Sequence, residues 1–275
     1  RGRLASCPVV LGSATPSLEP LTHARSGRYR HLRLRHRAGL ARPPRVALID
    51  LRDQPLHNGL SETLLHTLSE TLQRGEQAML FLNRRGFAPV LSCFSCGWVS
   101  DCPLCDAHQT VHRGSGRLIC HHCGAQRRVP TRCPNCDAAD LHPLGQGTEQ
   151  LEQVLAERFP DCPLIRIDRD ATARKGSLEA LLERLKAPGP ALLVGTQMLA
   201  KGHHFPRVTL VAVVDADGGL FSADYRATER LAQLLVQVAG RAGRGEHRGQ
   251  VLIQTRFPDH PLLQTLVTEG YSAFA

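Results

Sequence analysis

SLEALLERLKAPGPALLVG, residues 177–195, carries the reading from which the fold follows. Leu178, Leu181, Leu182 and Leu185 recur at the spacing of one helix face. Ala191 to Val194 is an unbroken apolar run, the pattern of a strand buried on both sides. The same rhythm repeats outward from it. Toward the N-terminus stand a strand at Leu164 to Ile167 and a helix with Leu151, Val154, Leu155 and Phe159 on one face. Earlier come strands at Val46 to Ile49 and Gln77 to Leu82, separated by a helix with Leu60, Leu64, Leu65, Leu68 and Leu72 for which Ser61 is a cap. Toward the C-terminus follow Val208 to Val214, a helix through Leu231, Leu234, Leu235 and Val238, and Val251 to Ile253. Apolar strands separated by amphipathic helices predict an α/β domain with a parallel sheet covered on both faces.

One stretch breaks the rhythm. Cys93/Cys96, Cys102/Cys105, Cys120/Cys123 and Cys133/Cys136 use eight of the ten cysteines. A Cys-x-x-Cys turn aims two sulfurs at one ion, so four pairs supply two tetrahedral zinc sites. The fourteen residues between Cys105 and Cys120 are close to a zinc-ribbon gap, which favours a nested scheme. In it Cys102/Cys105/Cys120/Cys123 share one ion and Cys93/Cys96/Cys133/Cys136 the other. The segment has few large apolar residues, so metal binding takes the place of a core. A disulfide framework would suit a secreted chain, but no signal peptide or long apolar run is visible. His108, His112, His121 and His122 are surplus to four complete pairs and are expected to face solvent or nucleic acid. Cys7 and Cys162 are expected as small buried hydrophobes.

Before the sheet, Pro8 to Leu11 is expected as a short buried strand, followed by a small-residue turn in which Thr15 caps a helix opened by Pro16. Leu32 and Leu34 alternate with Arg33 and Arg35 as in an edge strand, and Pro43-Pro44 ends a basic linker. The chain opens Arg1-Gly2-Arg3 without Met and is expected to be a fragment. The organisation expected is 1–45 as the end of a preceding domain plus linker, 46–92 and 145–275 as two parts of one α/β domain, and 93–144 as a zinc-binding insertion.

With 34 Lys plus Arg against 25 Asp plus Glu, the 275 residues carry +9, which leans toward a polyanionic partner. Arginine far outnumbers lysine, and its fork suits phosphate. Hydrophobic residues make up 42%, enough for a core, and no run of about eighteen apolar residues exists, which excludes a membrane helix.

Ligands of parallel sheets gather at the carboxyl ends of strands. There lie Gly195-Thr196-Gln197-Met198-Leu199-Ala200-Lys201-Gly202, then Asp215-Ala216-Asp217, and Gln237-Val238-Ala239-Gly240-Arg241-Ala242-Gly243-Arg244. Arg241 and Arg244, three apart, are expected on one helix face, converging on a multivalent anion, with Gln237 a turn earlier. Asp215 and Asp217 are expected to orient backbone or arginines.

QVAGRAGR (237–244) resembles motif VI of the superfamily 2 helicases. LGSATPS (11–17) is similar to their motif III, LFLNRRGFAP (80–89) to motif IV and GTQMLAKG (195–202) to motif V, all in the family's order. With the eight-cysteine insertion between motifs IV and V, the resemblance narrows to the primosomal replication-restart helicases and covers almost the whole chain. It implies a RecA-like second motor lobe of an ATP-dependent 3′-to-5′ DNA helicase that recognises stalled forks and restarts replication by primosome assembly. ATP and Mg²⁺ would then sit between two lobes, with Arg241 and Arg244 as arginine fingers and Gln237 sensing the nucleotide. Gly240, Asp217, Lys201 and Gly202 would help bind it, and Thr196, Gln197, Arg84 and Arg85 would contact DNA. The implied partners are forked and single-stranded DNA, primosome proteins and single-stranded-DNA-binding protein, with no membrane, in the bacterial cytoplasm at the nucleoid. The implied work of the zinc segment is strand separation and partner docking. The family usually has Asp where His204 stands, and no Gly-x-x-x-x-Gly-Lys-Ser/Thr phosphate loop occurs. The chain alone is therefore expected not to hydrolyse ATP. Two other classes compete: a non-enzymatic zinc-ribbon nucleic-acid binder, and a different superfamily 2 DNA translocase.

Overall fold

The structure, a computed structural model, describes residues 2, 4–34, 43–52, 54–82, 90–112, 115–143, 148–167, 172, 177–200, 205–221, 224–243 and 248–275. A first helix, α1 (Leu18–Arg25), precedes β1 (Arg45–Asp50), and a hairpin of β2 (Leu56–His57) and β3 (Leu60–Ser61) leads into α2 (Glu62–Gln73). Ser61 does cap α2, its Oγ accepting the Leu64 N–H at 3.2 Å. After β4 (Gln77–Leu82) the cysteine-rich segment contributes five three-residue strands, β5 (Leu91–Cys93), β6 (Thr110–His112), β7 (Arg117–Ile119), β8 (Gln126–Arg128) and β9 (Leu141–Pro143). The α/β alternation then resumes with α3 (Thr148–Arg158), β10 (Leu164–Ile167), α4 (Ser177–Lys186), β11 (Ala191–Gly195), α5 (Gln197–Ala200), β12 (Val208–Asp215), α6 (Asp217–Leu220) and α7 (Ala227–Ala239). It ends with β13 (Gln250–Thr255), α8 (Pro261–Thr268) and α9 (Tyr271–Phe274).

Six strands form one sheet in the order β1-β13-β12-β4-β11-β10, every pairing parallel. The chain therefore leaves the sheet after β4 for the cysteine-rich segment and returns to it with β10. β5 pairs with β9 antiparallel, Leu91 opposite Pro143, so the ends of the excursion meet and no sheet strand is displaced.

Strand side chains alternate between the two faces, and β4 shows both. Met79 and Phe81 join Leu193, Val211 and Val213 under Leu231, Leu235 and Val238 of α7 and Leu263 of α8. Ala78, Leu80 and Leu82 join Leu192 and Val194 over Leu64 and Leu68 of α2 and Leu151 and Leu155 of α3. Each fully buried leucine contributes roughly 2 kcal/mol of transfer free energy, and truncating one to alanine costs about 2–5 kcal/mol. Gly195 at the end of β11 allows the tight approach of β10 to α5. A Cβ there would lie 2.2 Å from the Ile167 carbonyl oxygen and 2.9 Å from Leu199 Cδ1.

Four local expectations are corrected. Val9, Val10 and Leu11 are 66%, 87% and 71% exposed and form no strand, because a parallel strand is stabilised only by a neighbour and none of the described residues pairs with them. Leu32 and Leu34 likewise stand in solvent without strand structure. Pro16 does not open α1: Ser17 is its N-cap position, without a side-chain cap bond, and Thr15 is buried and turned to another use described below. Cys7 is exposed rather than buried, and Cys162 is only half-buried, packed against the apolar layer of Leu192 and Leu210. No helix among the described residues is long and apolar enough to cross a membrane.

Candidate functional site: two metal centres and the strand-end cleft

The four Cys-x-x-Cys turns share one backbone design. The N–H of each first cysteine donates to the carbonyl five residues on: Cys93 to Trp98 at 2.7 Å, and Cys102 to Ala107, Cys120 to Ala125 and Cys133 to Ala138 at 2.8 Å. In three of them the residue after the second cysteine takes a positive φ, Gly97 at 75°, Gly124 at 79° and Asp137 at 60°. Its N–H returns to the first cysteine's carbonyl at 2.9 Å each time. This knuckle turns both sulfurs to the same side.

The sulfurs meet in two all-cysteine quartets, Cys93/Cys96/Cys133/Cys136 and Cys102/Cys105/Cys120/Cys123, each with all four sulfurs within 4.8 Å. This is the nested grouping favoured by the spacing. Cys93 and Cys136 sulfurs lie 3.7 Å apart, Cys96 and Cys133 3.6 Å, Cys102 and Cys123 3.4 Å, and Cys105 and Cys120 3.6 Å. A tetrahedral ion with Zn–S of about 2.3 Å requires sulfurs roughly 3.8 Å apart, so the quartets fit two zinc ions. Donors already aim at the sulfurs: the Leu104 N–H at Cys102 (3.5 Å), the Asn135 N–H at Cys133 (3.4 Å) and the Asn135 amide at Cys96 (3.4 Å). The Asn135 amide, with the Trp98 N–H, holds the Cys96 thiol down at about 6. For Cys136 the Ala138 N–H favours the thiolate, but Cys96 and burial push it up to about 12. Four sulfurs this close ionise together only around a cation, which is what a structural zinc supplies. The histidines stay out of the quartets: His108 Nδ1 meets Asp101 at 2.7 Å, and His112 and His121 meet each other through Nε2 at 3.1 Å.

Because all six sheet strands run parallel, their carboxyl ends share one edge, where Gly195-Thr196 and Asp215-Ala216-Asp217 lie. Against expectation, Gly240 to Gly243 lead into β13 and lie at the opposite edge, beside Val208, the first residue of β12. Thr196, buried, opens α5 by accepting the Leu199 N–H on its carbonyl at 2.9 Å, and Gln197 is half-buried in that first turn. Gly240 terminates α7, so Arg241 stands past the helix rather than on its face, which corrects the expected geometry. Past it the backbone tightens into i→i+3 turns, the Arg241 N–H donating to Val238 at 2.9 Å and the Ala242 N–H to Ala239 at 3.2 Å. Arg241 is 8% exposed and its guanidinium donates to the Ala200 carbonyl. The stretch is tied down again where the Gly243 N–H donates to Val208 at 3.0 Å. Gln237 points its amide at Thr15 Oγ1, 2.9 Å away, which brings the SATP stretch against α7. Three further bonds hold that segment: the Leu18 N–H to Glu229 (3.1 Å), Arg226 to Glu19 (2.8 Å) and the Tyr271 hydroxyl to the Pro16 carbonyl (2.7 Å). Arg84, Arg85, Lys201, Gly202, His204 and Arg244 lie outside the described residues.

Asp217 is turned inward. Its carboxylate accepts from the Thr255 hydroxyl at 2.5 Å and the Arg256 N–H at 2.9 Å, stitching α6 to the end of β13. Sequence reasoning missed Thr255 and Arg256, although a polar pair closing the apolar run of β13 was a usable signal. Glu229 and Tyr271, which hold the SATP segment, were missed as well, because nothing in their spacing marks a contact made across the fold. Burial raises the Asp217 carboxyl to about 7, and Asp215 adds to the rise, against the Thr255 and Arg256 hydrogen bonds. The folded state then holds this proton more tightly than the unfolded chain, whose Asp titrates near 3.9. Its stabilising contribution is complete below about pH 4 and is lost as the pH rises to about 7. Unfolding by urea at pH 6 and pH 7 should show the chain losing on the order of 1 kcal/mol more than an Asp217→Asn variant over that interval. Equal slopes for the two proteins would contradict this.

Residues 102–128 match the family described as the PriA DNA helicase Cys-rich region (CRR) domain. Over 267 residues, 97% of this chain, the sequence is 54% identical to the replication restart protein PriA of Haemophilus influenzae, of which it covers 37%. It is 46% identical over 273 residues to the replication restart protein PriA of Bacillus subtilis, with 98% of this chain and 34% of that protein covered. The protein of that name from Chlamydia pneumoniae is 43% identical over 280 residues, spanning 100% of this chain and 37% of its own length. The chain thus spans about a third of the length of the relatives it matches.

Proposed function

Since the chain belongs to the PriA family of replication restart proteins, we propose that it supplies the second motor lobe and the zinc segment of an ATP-dependent DNA helicase. In the whole protein this machine would unwind DNA 3′ to 5′ at stalled forks and restart replication by primosome assembly. The observation that carries the reading is that three stretches far apart in sequence are bonded to one another. Gln237 reaches Thr15, and Arg241 reaches Ala200, which ends the turn opened by Thr196. A set of contacts that joins the SATP segment, the GTQMLAKG loop and the QVAGRAGR stretch suits a clamp that closes on a nucleotide and passes the movement to bound DNA.

In this reading Arg241 and Arg244 stabilise charge on a phosphoryl group of ATP held with Mg²⁺ against the other lobe, and Gln237 links that event to the SATP segment. Thr196, Gln197, Arg84 and Arg85 meet the DNA backbone, and Gly240, Lys201 and Gly202 border the nucleotide. Asp217 acts by holding β13 rather than by touching nucleotide, since Thr255 and Arg256 occupy both its oxygens. Two zinc ions keep the cysteine-rich segment folded. Primosome proteins and single-stranded-DNA-binding protein are the protein partners, and the setting is the bacterial cytoplasm at the nucleoid.

The test compares two forked substrates, one with a 3′ and one with a 5′ single-stranded loading tail, incubated with ATP and the full-length protein that contains this chain. Unwinding is expected on the 3′-tailed fork, and the chain of 275 residues by itself is expected to release no phosphate from ATP, having no Gly-x-x-x-x-Gly-Lys-Ser/Thr loop. Unwinding confined to the 5′ tail, or ATP-independent strand separation, would overturn the motor reading in favour of a binding module.

A further inference from the structure

A cleft of about 560 Å³ lies at the seam between the cysteine-rich segment and the sheet. Aromatic residues make up 4% of the chain, yet its single tryptophan, Trp98, and two of its eight phenylalanines, Phe221 and Phe257, line this cleft. Separate elements set the rings. Trp98 belongs to the outer metal knuckle, its carbonyl taking the Cys93 N–H, and the Arg127 guanidinium sits 5.7 Å from its ring centroid. Phe221 follows α6, and Phe257 follows β13. Their rings meet edge to face at 4.4 Å, with His108 edge-on to Phe221 at 5.4 Å. Gly97 of the knuckle brings its backbone close to Phe257, whose Cε1 would lie 3.9 Å from a Cβ at that position.

Arg52 and Arg256 line the same cleft. Arg52 is bonded to Asp50 at 2.6 Å and Asp259 at 3.0 Å, and Arg256 lies over the Phe94 ring at 3.7 Å. The salt bridges and stacking hold both guanidiniums in place. Asp101 and Asp259 line the cleft as well, so its charged rim is balanced and the aromatic walls decide what enters. Aromatic walls suit a flat ring, and the chain's net charge of +9 favours one carried on a polyanion.

We propose that this cleft receives an unstacked base of single-stranded DNA, the base entering among Trp98, Phe221 and Phe257. Stacking uses the face that every base presents, so the cleft holds a strand without reading its sequence. The inference rests on the DNA-binding reading above and adds a place where the strand is gripped, set by the outer metal centre.

Trp98, as the single tryptophan, reports on the cleft directly. The zinc-loaded chain is titrated with a thymidine homopolymer and with an abasic oligomer of equal length and charge. Binding is followed by anisotropy of the labelled strand and the cleft by Trp98 emission. The thymidine strand should quench Trp98 and the abasic strand should not. Phe257→Leu should weaken thymidine binding about tenfold and leave abasic binding unchanged. Phe221→Leu provides the same comparison should the first variant fail to retain zinc. Equal binding of both strands with Trp98 emission unmoved overturns the cleft proposal and leaves the DNA-binding reading standing. No anisotropy change with either strand brings down both.

Discussion

Withdrawal of zinc should unfold residues 90–143 and leave the six-stranded sheet intact. The segment's strands are three residues long, and apart from its cysteines its buried apolar side chains are few: Val90, Leu91, Val99 and Leu118. Four such side chains contribute on the order of 6–10 kcal/mol of transfer free energy, far less than the conformational entropy of ordering some fifty residues. A structural zinc in a peptide of this kind is worth about 10–16 kcal/mol at neutral pH, enough to reverse the balance. The sheet depends on two apolar layers that draw on none of the quartets. Titrating the metal released by a strong chelator should give two ions per chain. Hydrogen exchange afterwards should show protection lost in 90–143 and kept in β4 and β12. Retained protection in the segment after both ions have left would show that packing, not metal, holds it.

The second large effect concerns Arg241 in the full-length protein. A guanidinium that stabilises a phosphoryl group in flight contributes about 10³–10⁵ in rate. Arg241→Ala should therefore lower ATP hydrolysis by roughly a thousandfold, with DNA affinity little changed. Because Arg241 is buried and bonded to the Ala200 carbonyl, truncation also leaves a buried acceptor unmet, at about 1–3 kcal/mol of stability. Arg241→Lys separates the two effects: it keeps the charge and a donor but not the planar fork, so a large rate loss with preserved thermal stability assigns the residue to the chemistry. Hydrolysis within about tenfold of the parent in both variants would reduce Arg241 to a structural tie.

The sheet was legible from its sequence because burial writes its strands as short, mainly apolar runs between amphipathic helices. Gln77–Leu82 and Leu164–Ile167 were read with the boundaries the structure has. The quartets were legible because Cys-x-x-Cys states its own geometry, and the fourteen-residue gap selects the partner. What failed were the segments whose meaning depends on something distant. Val9 to Leu11 has the composition of a strand, but composition does not supply a neighbour to pair with. Arg241 and Arg244 were placed on one helix face by their spacing, yet Gly240 ends that helix. The cleft was invisible for the same reason, since Trp98, Phe221 and Phe257 share no spacing and meet only when a metal knuckle is folded against the sheet edge.

Nesting one quartet inside the other sets an order of events. The inner ion bridges a gap of 14 residues, 106–119, and the outer one a gap of 36, 97–132. On chain-closure entropy alone the shorter gap is easier by about 0.8 kcal/mol, and once it is shut the longer gap is already drawn in. Loading is therefore expected to be hierarchical, the first ion to bind preparing the site of the second. When metal is scarce the outer position, the one that carries Trp98, should be the first to empty, loosening the join between the segment and the sheet before the inner knuckle gives way.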